Sequence, residues 1–271
     1  MSTTGSTGQV GDRAGEGVDV RLGQLVADLT GTDDGRPPVV LLHGLTFDRG
    51  MWTPIVDALA GRRALAFDLP GHGDSPPRDS YDPADVADVL HDAITAAGVG
   101  APVLVGHSIG AVLATAYAAR HPARAVLNID QPLLPGPFGD LLRSVEPVLR
   151  GPDWLRVWTT LLDGMGLGEL SPPLRALLRS TPRQDLLLGY WGEVLEKSSE
   201  ELRRQRTDEL AALRQHGTGY HHASRAPLPP GYVSWLRAVL PSAGTTVLPG
   251  SGHFPHLARP EALVEILSGW K

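Results

Sequence analysis

The run Gly106-His107-Ser108-Ile109-Gly110 has the residue types and spacing for covalent chemistry. It follows the apolar stretch Pro102-Val103-Leu104-Val105 and opens onto a helix-like segment that reaches Ala118 and stops before Pro122. A serine on a tight strand-to-helix turn, with glycine two places before and two after, is the pattern of a nucleophile elbow. The glycines let neighbouring chain approach where a Cβ would clash. The helix N-terminus offers N–H groups and the positive end of a dipole to a developing oxyanion. The bland alternative is an ordinary glycine-rich turn between a strand and a helix.

A serine hydroxyl needs a base to take its proton. Ten histidines compete for that role. His253 lies in Gly250-Ser251-Gly252-His253, after the strand-like Thr245-Thr246-Val247-Leu248 and before a helix expected from Pro260 to about Leu267. That position puts it at the carboxyl edge of a sheet, where Ser108 also lies. His43, His72 and His256 read as loop-supporting or rim residues, and His221 and His222 as strand packing. His107, beside the nucleophile, is expected to point into the sheet or the floor of a substrate pocket.

Such side chains need a scaffold that gathers strand ends. Val18, Val20 and Leu22 alternate with polar residues, as do Leu25, Ala27 and Leu29, with Gly23-Gln24 between them. That is a hairpin pattern. Val39–Leu42, Ala64–Phe67, Pro102–Val105 and Ala125–Ile129 are continuous apolar runs, which mark strands buried on both faces of a parallel sheet. Asp82 and Pro83 start a helix whose apolar stripe is Val86, Val89, Leu90, Ala93 and Ile94, and Gly98 ends it. Alternating strands and helices imply a doubly wound, mostly parallel α/β sheet. From about Gln131 to Gln215 the chain turns Leu-, Arg- and Pro-rich, with helices expected near Asp140–Leu149 and Ser198–Leu213. The expected organisation is a disordered tail over 1–16, an α/β core over 17–131 and 216–271, and an inserted helical cap over 132–215.

The sequence resembles the α/β-hydrolase family over most of residues 18–131 and 217–271. Four segments carry the likeness in family order. They are His43-Gly44-Leu45, then Phe67-Asp68-Leu69-Pro70-Gly71-His72-Gly73-Asp74-Ser75, then Gly106 to Gly110, then Gly250 to His256. The resemblance implies an α/β-hydrolase fold with Ser108 as nucleophile and His253 as base. It implies an oxyanion hole from the N–H groups of Leu45 and Ile109. In most members the acid follows the seventh strand, but Ala223 to Tyr232 contains no Asp or Glu here. Some members take it from the end of the preceding strand, where Asp130 stands. A carboxylate there can hold the far nitrogen of His253 and stabilise its imidazolium. The competing role for Asp130 is to close the loop into the cap. Asp163 and Asp208, both in the cap, are outsiders.

Trp154, Trp158 and Trp191 fall in the cap, the first two four residues apart. They either line an apolar substrate pocket with His107 or fix the cap to the core. The expected function is hydrolysis of a small hydrophobic carboxylic ester, lactone or thioester through an acyl-enzyme on Ser108. The alternatives are an acyltransferase or C–C bond hydrolase using the same residues, or a non-catalytic ligand receptor on the same fold. No cysteine is present, which excludes disulfides, cysteine-ligated metals and a thiol nucleophile. No metal-ligand spacing or phosphate loop is evident, so no cofactor and no metal are expected. The net charge of −6 argues against nucleic acid as a partner. No stretch has the ~20 apolar residues of a membrane span, and no signal peptide is evident. A cytoplasmic protein acting on a small molecule is expected, in an oligomeric state the sequence leaves open.

Overall fold

A computed structural model describes residues 17–270. The disordered tail expected over residues 1–16 lies outside the described residues. The strands are β1 (Val18–Leu22), β2 (Leu25–Thr30), β3 (Val39–Leu42), β4 (Ala64–Phe67), β5 (Val103–His107), β6 (Ala125–Ile129), β7 (Gly219–Ser224) and β8 (Gly244–Val247). They form one sheet in the order β1-β2-β4-β3-β5-β6-β7-β8. β1 pairs antiparallel with β2 in the register Leu22↔Leu25, as the hairpin pattern requires, and β2 pairs antiparallel with β4. All pairs from β4 to β8 are parallel. The chain is an α/β fold with an eight-stranded, mostly parallel sheet among the described residues.

The helices are α1 (Thr53–Ala58), α2 (Pro83–Ala96), α3 (Ile109–Arg120), α4 (Gly136–Arg150), α5 (Trp154–Asp163), α6 (Pro172–Ala176), α7 (Gln184–Tyr190), α8 (Gly192–Glu196), α9 (Ser199–His216), α10 (Pro230–Val239), α11 (Pro255–Ala258) and α12 (Pro260–Ser268). The expected caps form at α2, where Asp82 accepts from the Ala84 N–H and Pro83 occupies the first position. Between β6 and β7 run α4 to α9. Two of them match the periodic stretches near 140–149 and 198–213. The short α6 to α8, five to seven residues each, offer too few turns for a periodicity to show. No described helix is long and apolar enough to cross a membrane.

The continuous apolar strands fill two cores because successive side chains leave opposite faces. Val40, Leu42, Leu104 and Val126 pack with α2 and α3 on one face. Val39, Leu41, Val103, Val105, Leu127 and Ile129 pack with Ile55 of α1 and Leu263 and Leu267 of α12 on the other. The connection after β3 goes to one side and that after β5 to the other. The crevice at such a switch, beyond the carboxyl ends of the strands, is where ligands bind in open α/β sheets.

Candidate active site

Ser108 stands between β5 and α3 with φ 53° and ψ −126°. This region is costly for a residue with a Cβ, on the order of 1–3 kcal/mol. The surroundings impose it. The Ser108 N–H donates to the Ile129 carbonyl at 3.1 Å, and its own carbonyl accepts from the Ala111 N–H at 2.8 Å. The flanking glycines leave no choice of side chain. A Cβ on Gly106 would lie 2.2 Å from the Gly110 carbonyl oxygen, and one on Gly110 would lie 2.2 Å from that of Leu42.

Asp130 follows β6 with φ 55° and is 8% exposed. Its N–H donates to the Ala223 carbonyl at 2.8 Å, so each turn is anchored on the last residues of the next strand. Asp130 Oδ2 accepts from His253 Nδ1 at 2.7 Å, and Oδ1 accepts from the Arg225 backbone N–H at 2.8 Å. Burial alone would raise the Asp130 carboxyl. The His253 hydrogen bond and charge and the Arg225 amide and guanidinium outweigh it and hold the group below the usual carboxylate range. With Nδ1 bound, Nε2 of His253 is the nitrogen left for Ser108. Asp163 on α5 and Asp208 on α9 are exposed, and neither is bonded to Asp130 or His253.

The loop after β3 is braced reciprocally with the loop after β4. His43 Nδ1 donates to the Gly44 carbonyl at 2.7 Å, while its Nε2 accepts from the Leu69 N–H at 3.0 Å. His72 Nδ1 donates to the Pro70 carbonyl at 3.1 Å, while its Nε2 accepts from the Thr46 N–H at 3.0 Å. These bonds require both rings neutral, and burial supplies that by pushing His43 down to about 4 and His72 to about 3. Among the described residues, no backbone carbonyl takes the N–H of Leu45 or Ile109. Both residues line the cavity that Ser108 lines, so both donors are available to a developing oxyanion.

That cavity, about 610 Å³, lies between the strand ends and the helices that connect β6 to β7. Ser108, His253 and Asp130 line it, with walls from Val112, Leu133, Phe138, Leu141, Trp158, Leu161, Met165, Tyr190, Trp191, Val194 and Leu228. Trp158 and Trp191 thus reach the pocket, but Trp154 and His107 do not. Trp154 sits one turn earlier on α5, about 6 Å along the axis, and packs half-buried against the core. His107 is the last residue of β5, on the face of Val103 and Val105, opposite the pocket. It is fully buried there, and its Nε2 donates to the His253 carbonyl at 2.7 Å. It supports the histidine loop from beneath rather than flooring the pocket.

Other braces have no signal in the sequence. The His253 N–H donates to the Met165 carbonyl at 2.7 Å, and the Gly252 N–H to Glu169 at 3.1 Å. Thr46 accepts from the Thr181 N–H at 2.8 Å. The segment from 165 to 181 therefore grips both the loop that carries His253 and the loop after β3. No group of three or more His, Asp or Glu among the described residues could hold a metal ion.

The buried histidines give the fold an acid limit. Burial lowers His43 and His222 to about 4 and His72 and His256 to about 3, against about 6.5 in an unfolded chain. Between those limits the unfolded chain binds more protons, so stability rises with pH. The contribution is complete above 6.5 and is lost as pH falls toward the folded values. The loss is about 1.4 kcal/mol per pH unit for each ring. Thermal melts should show Tm falling steadily from pH 7 to pH 5. A flat Tm over that window would mean that these rings are not held neutral.

The model of a family described as "Alpha/beta hydrolase family" matches residues 39–266. A pimeloyl-[acyl-carrier protein] methyl ester esterase of Chromobacterium violaceum is 32% identical over 248 residues, covering 86% of this chain and 93% of that one. A 2-succinyl-6-hydroxy-2,4-cyclohexadiene-1-carboxylate synthase of an Enterobacter species is 27% identical, over 86% of this chain and 91% of its own. Among solved structures, an enzyme that recognises and ring-cleaves the Pseudomonas quinolone signal superposes with a TM-score of 0.75 at 19% identity. That match covers 93% of this chain and 99% of the other.

Proposed function

Because the chain belongs to the alpha/beta hydrolase family, we propose that it is a serine hydrolase cleaving a small, largely apolar carboxylic ester through an acyl-enzyme on Ser108. Lactones and thioesters fall within the same chemistry. The observation that carries this reading is the 2.7 Å bond from His253 to Asp130 at the edge of a cavity that Ser108 also lines. The esterase relative, alike over nearly its whole length, supports an ester rather than a carbon–carbon bond as the group cleaved.

In this reading His253 Nε2 takes the Ser108 proton as Oγ bonds to the acyl carbon. The carbonyl π pair moves to the oxygen, which the Leu45 and Ile109 N–H groups hold. Asp130 stabilises the imidazolium. The tetrahedral adduct collapses, the bond to the alcohol breaks, and Nε2 gives its proton to the departing oxygen. Water then repeats the sequence on the acyl-enzyme, releasing the acid and restoring Ser108. The apolar walls suit an acyl chain.

A fluorophosphonate probe should add one equivalent to the intact protein, and peptide mass spectrometry should place it on Ser108. p-Nitrophenyl esters should turn over in the same preparation. Label on another residue, or none at all, would sink the reading.

A further inference from the structure

Two arginines reach the cavity beside Ser108, and they differ in what they have left to offer. Arg206 is 4% exposed and already neutralised by two carboxylates. Its Nη2 donates to Glu193 at 2.7 Å and its Nη1 to Glu209 at 2.6 and 2.9 Å. A ligand would have to break that arrangement to use it.

Arg225 leaves its two Nη groups uncommitted. It follows β7, its side chain is 44% exposed, and its Nε lies 3.6 Å from Asp130 Oδ2. That is an ion-pair distance but not a hydrogen bond. Both Asp130 oxygens already have closer partners, the Arg225 backbone N–H and His253 Nδ1. Among the described residues, none accepts a hydrogen bond from Arg225 Nη1 or Nη2. The loop that carries Arg225, from Ala223 to Tyr232, has no Asp or Glu to occupy it. A fork of donors therefore stands at an otherwise largely apolar cavity, on the His253 side of the serine.

We infer that Arg225 is a specificity residue that binds a carboxylate on the alcohol portion of the ester. The inference rests on the serine-hydrolase reading above. There, His253 returns its proton to the departing oxygen, so the alcohol portion lies toward His253. Arg225 is tied to His253's own partner, Asp130, and so sits on that same side. The two Nη groups match the two oxygens of a carboxylate, and a guanidinium keeps its charge at any working pH. An apolar wall around such a pair screens it less than bulk water would.

The test compares 3-acetoxybenzoate with 3-acetoxybenzamide, which share a shape and differ in charge. kcat and KM are measured for the wild type, Arg225→Gln and Arg225→Lys. Both variants keep the backbone N–H that bonds Asp130. Arg225→Gln should lower kcat/KM for the benzoate about tenfold more than for the benzamide, with the extra loss in KM; any loss shared by both esters reports the guanidinium's hold on Asp130. Arg225→Lys should keep the benzoate within about threefold of the wild type. Equal losses on both esters would mean that Arg225 acts through Asp130, and unchanged kinetics would mean that it holds no substrate group. Either result overturns the inference. A wild type that hydrolyses neither compound overturns it too, while the fluorophosphonate label still decides the serine reading on its own.

Discussion

Ser108→Ala should lower kcat on p-nitrophenyl butyrate by roughly 10⁴–10⁶, the range set by removing the nucleophile from serine hydrolases that work as a unit. KM should stay near the wild-type value, because the Oγ leaves while the apolar walls and both N–H donors remain. A residue of catalysis over water should survive on those donors alone. Stability should hardly change, since alanine keeps the Cβ that strains the turn. Ser108→Gly separates the two effects. Glycine accepts φ 53° and ψ −126° without that cost, so this variant should be as inactive but more stable by about 1 kcal/mol. Urea denaturation of the three proteins beside their kinetics measures both. If Ser108→Ala keeps more than a tenth of the wild-type turnover, the nucleophile is elsewhere.

The elbow was legible because its constraints are local. Two glycines, a strand before and a helix after fit within about twenty residues, and each has a separate physical reason. The strand runs from Val39 to Ile129 were legible because burial on both faces demands uninterrupted apolar sequence. The pocket walls were not. Trp154 and Trp158 share a helix face, yet one turn of axial offset takes Trp154 out of the cavity, and no periodicity reports where the helices between β6 and β7 stand against the sheet. His107 shows the same limit differently. Strand alternation fixes its face only after one knows which face the pocket occupies. The clasp of residues 165–181 on the His253 and Thr46 loops joins segments far apart in the chain, in part through backbone groups that any residue supplies. Arg225 was hidden in a loop notable in sequence for what it lacks.

That clasp bears on how the site is held. Ser108 and Asp130 both sit at positive φ, and each is fixed by an N–H bonded to the neighbouring strand. The His253 N–H is bonded instead to Met165, its carbonyl to the ring of His107 at the end of β5, and its own ring to Asp130. Ser108 and Asp130 are thus positioned by the sheet, and His253 by the insertion, His107 and Asp130 together.

Asp130→Asn should therefore lower kcat by about 10³–10⁴ while leaving KM nearly unchanged. The amide fits the same space, but its orientation is dictated. Its Oδ1 must accept from the Arg225 backbone N–H, at 2.8 Å in the wild type, which turns the NH₂ toward His253 Nδ1, where Oδ2 now sits at 2.7 Å. A donor facing Nδ1 makes that nitrogen an acceptor and leaves the proton on Nε2. Nε2–H cannot take the proton of Ser108, and a wrong tautomer of this kind costs about 10⁴ in another Ser-His-Asp enzyme. The controls are Asp163→Asn on α5 and Asp208→Asn on α9, both exposed, which should stay within twofold of the wild type. Equal, small effects at all three would mean that the acid is elsewhere or that the site works without one. The result also frames the role of Arg225, whose Nε lies 3.6 Å from the same carboxylate. Loss of the Asp130 charge should act on kcat for every ester, charged or neutral. Loss of the Arg225 charge should act chiefly on KM, and most where the substrate carries an anion. Two substitutions on adjacent side chains would then give orthogonal kinetic signatures, one from orienting the base and the other from binding the substrate.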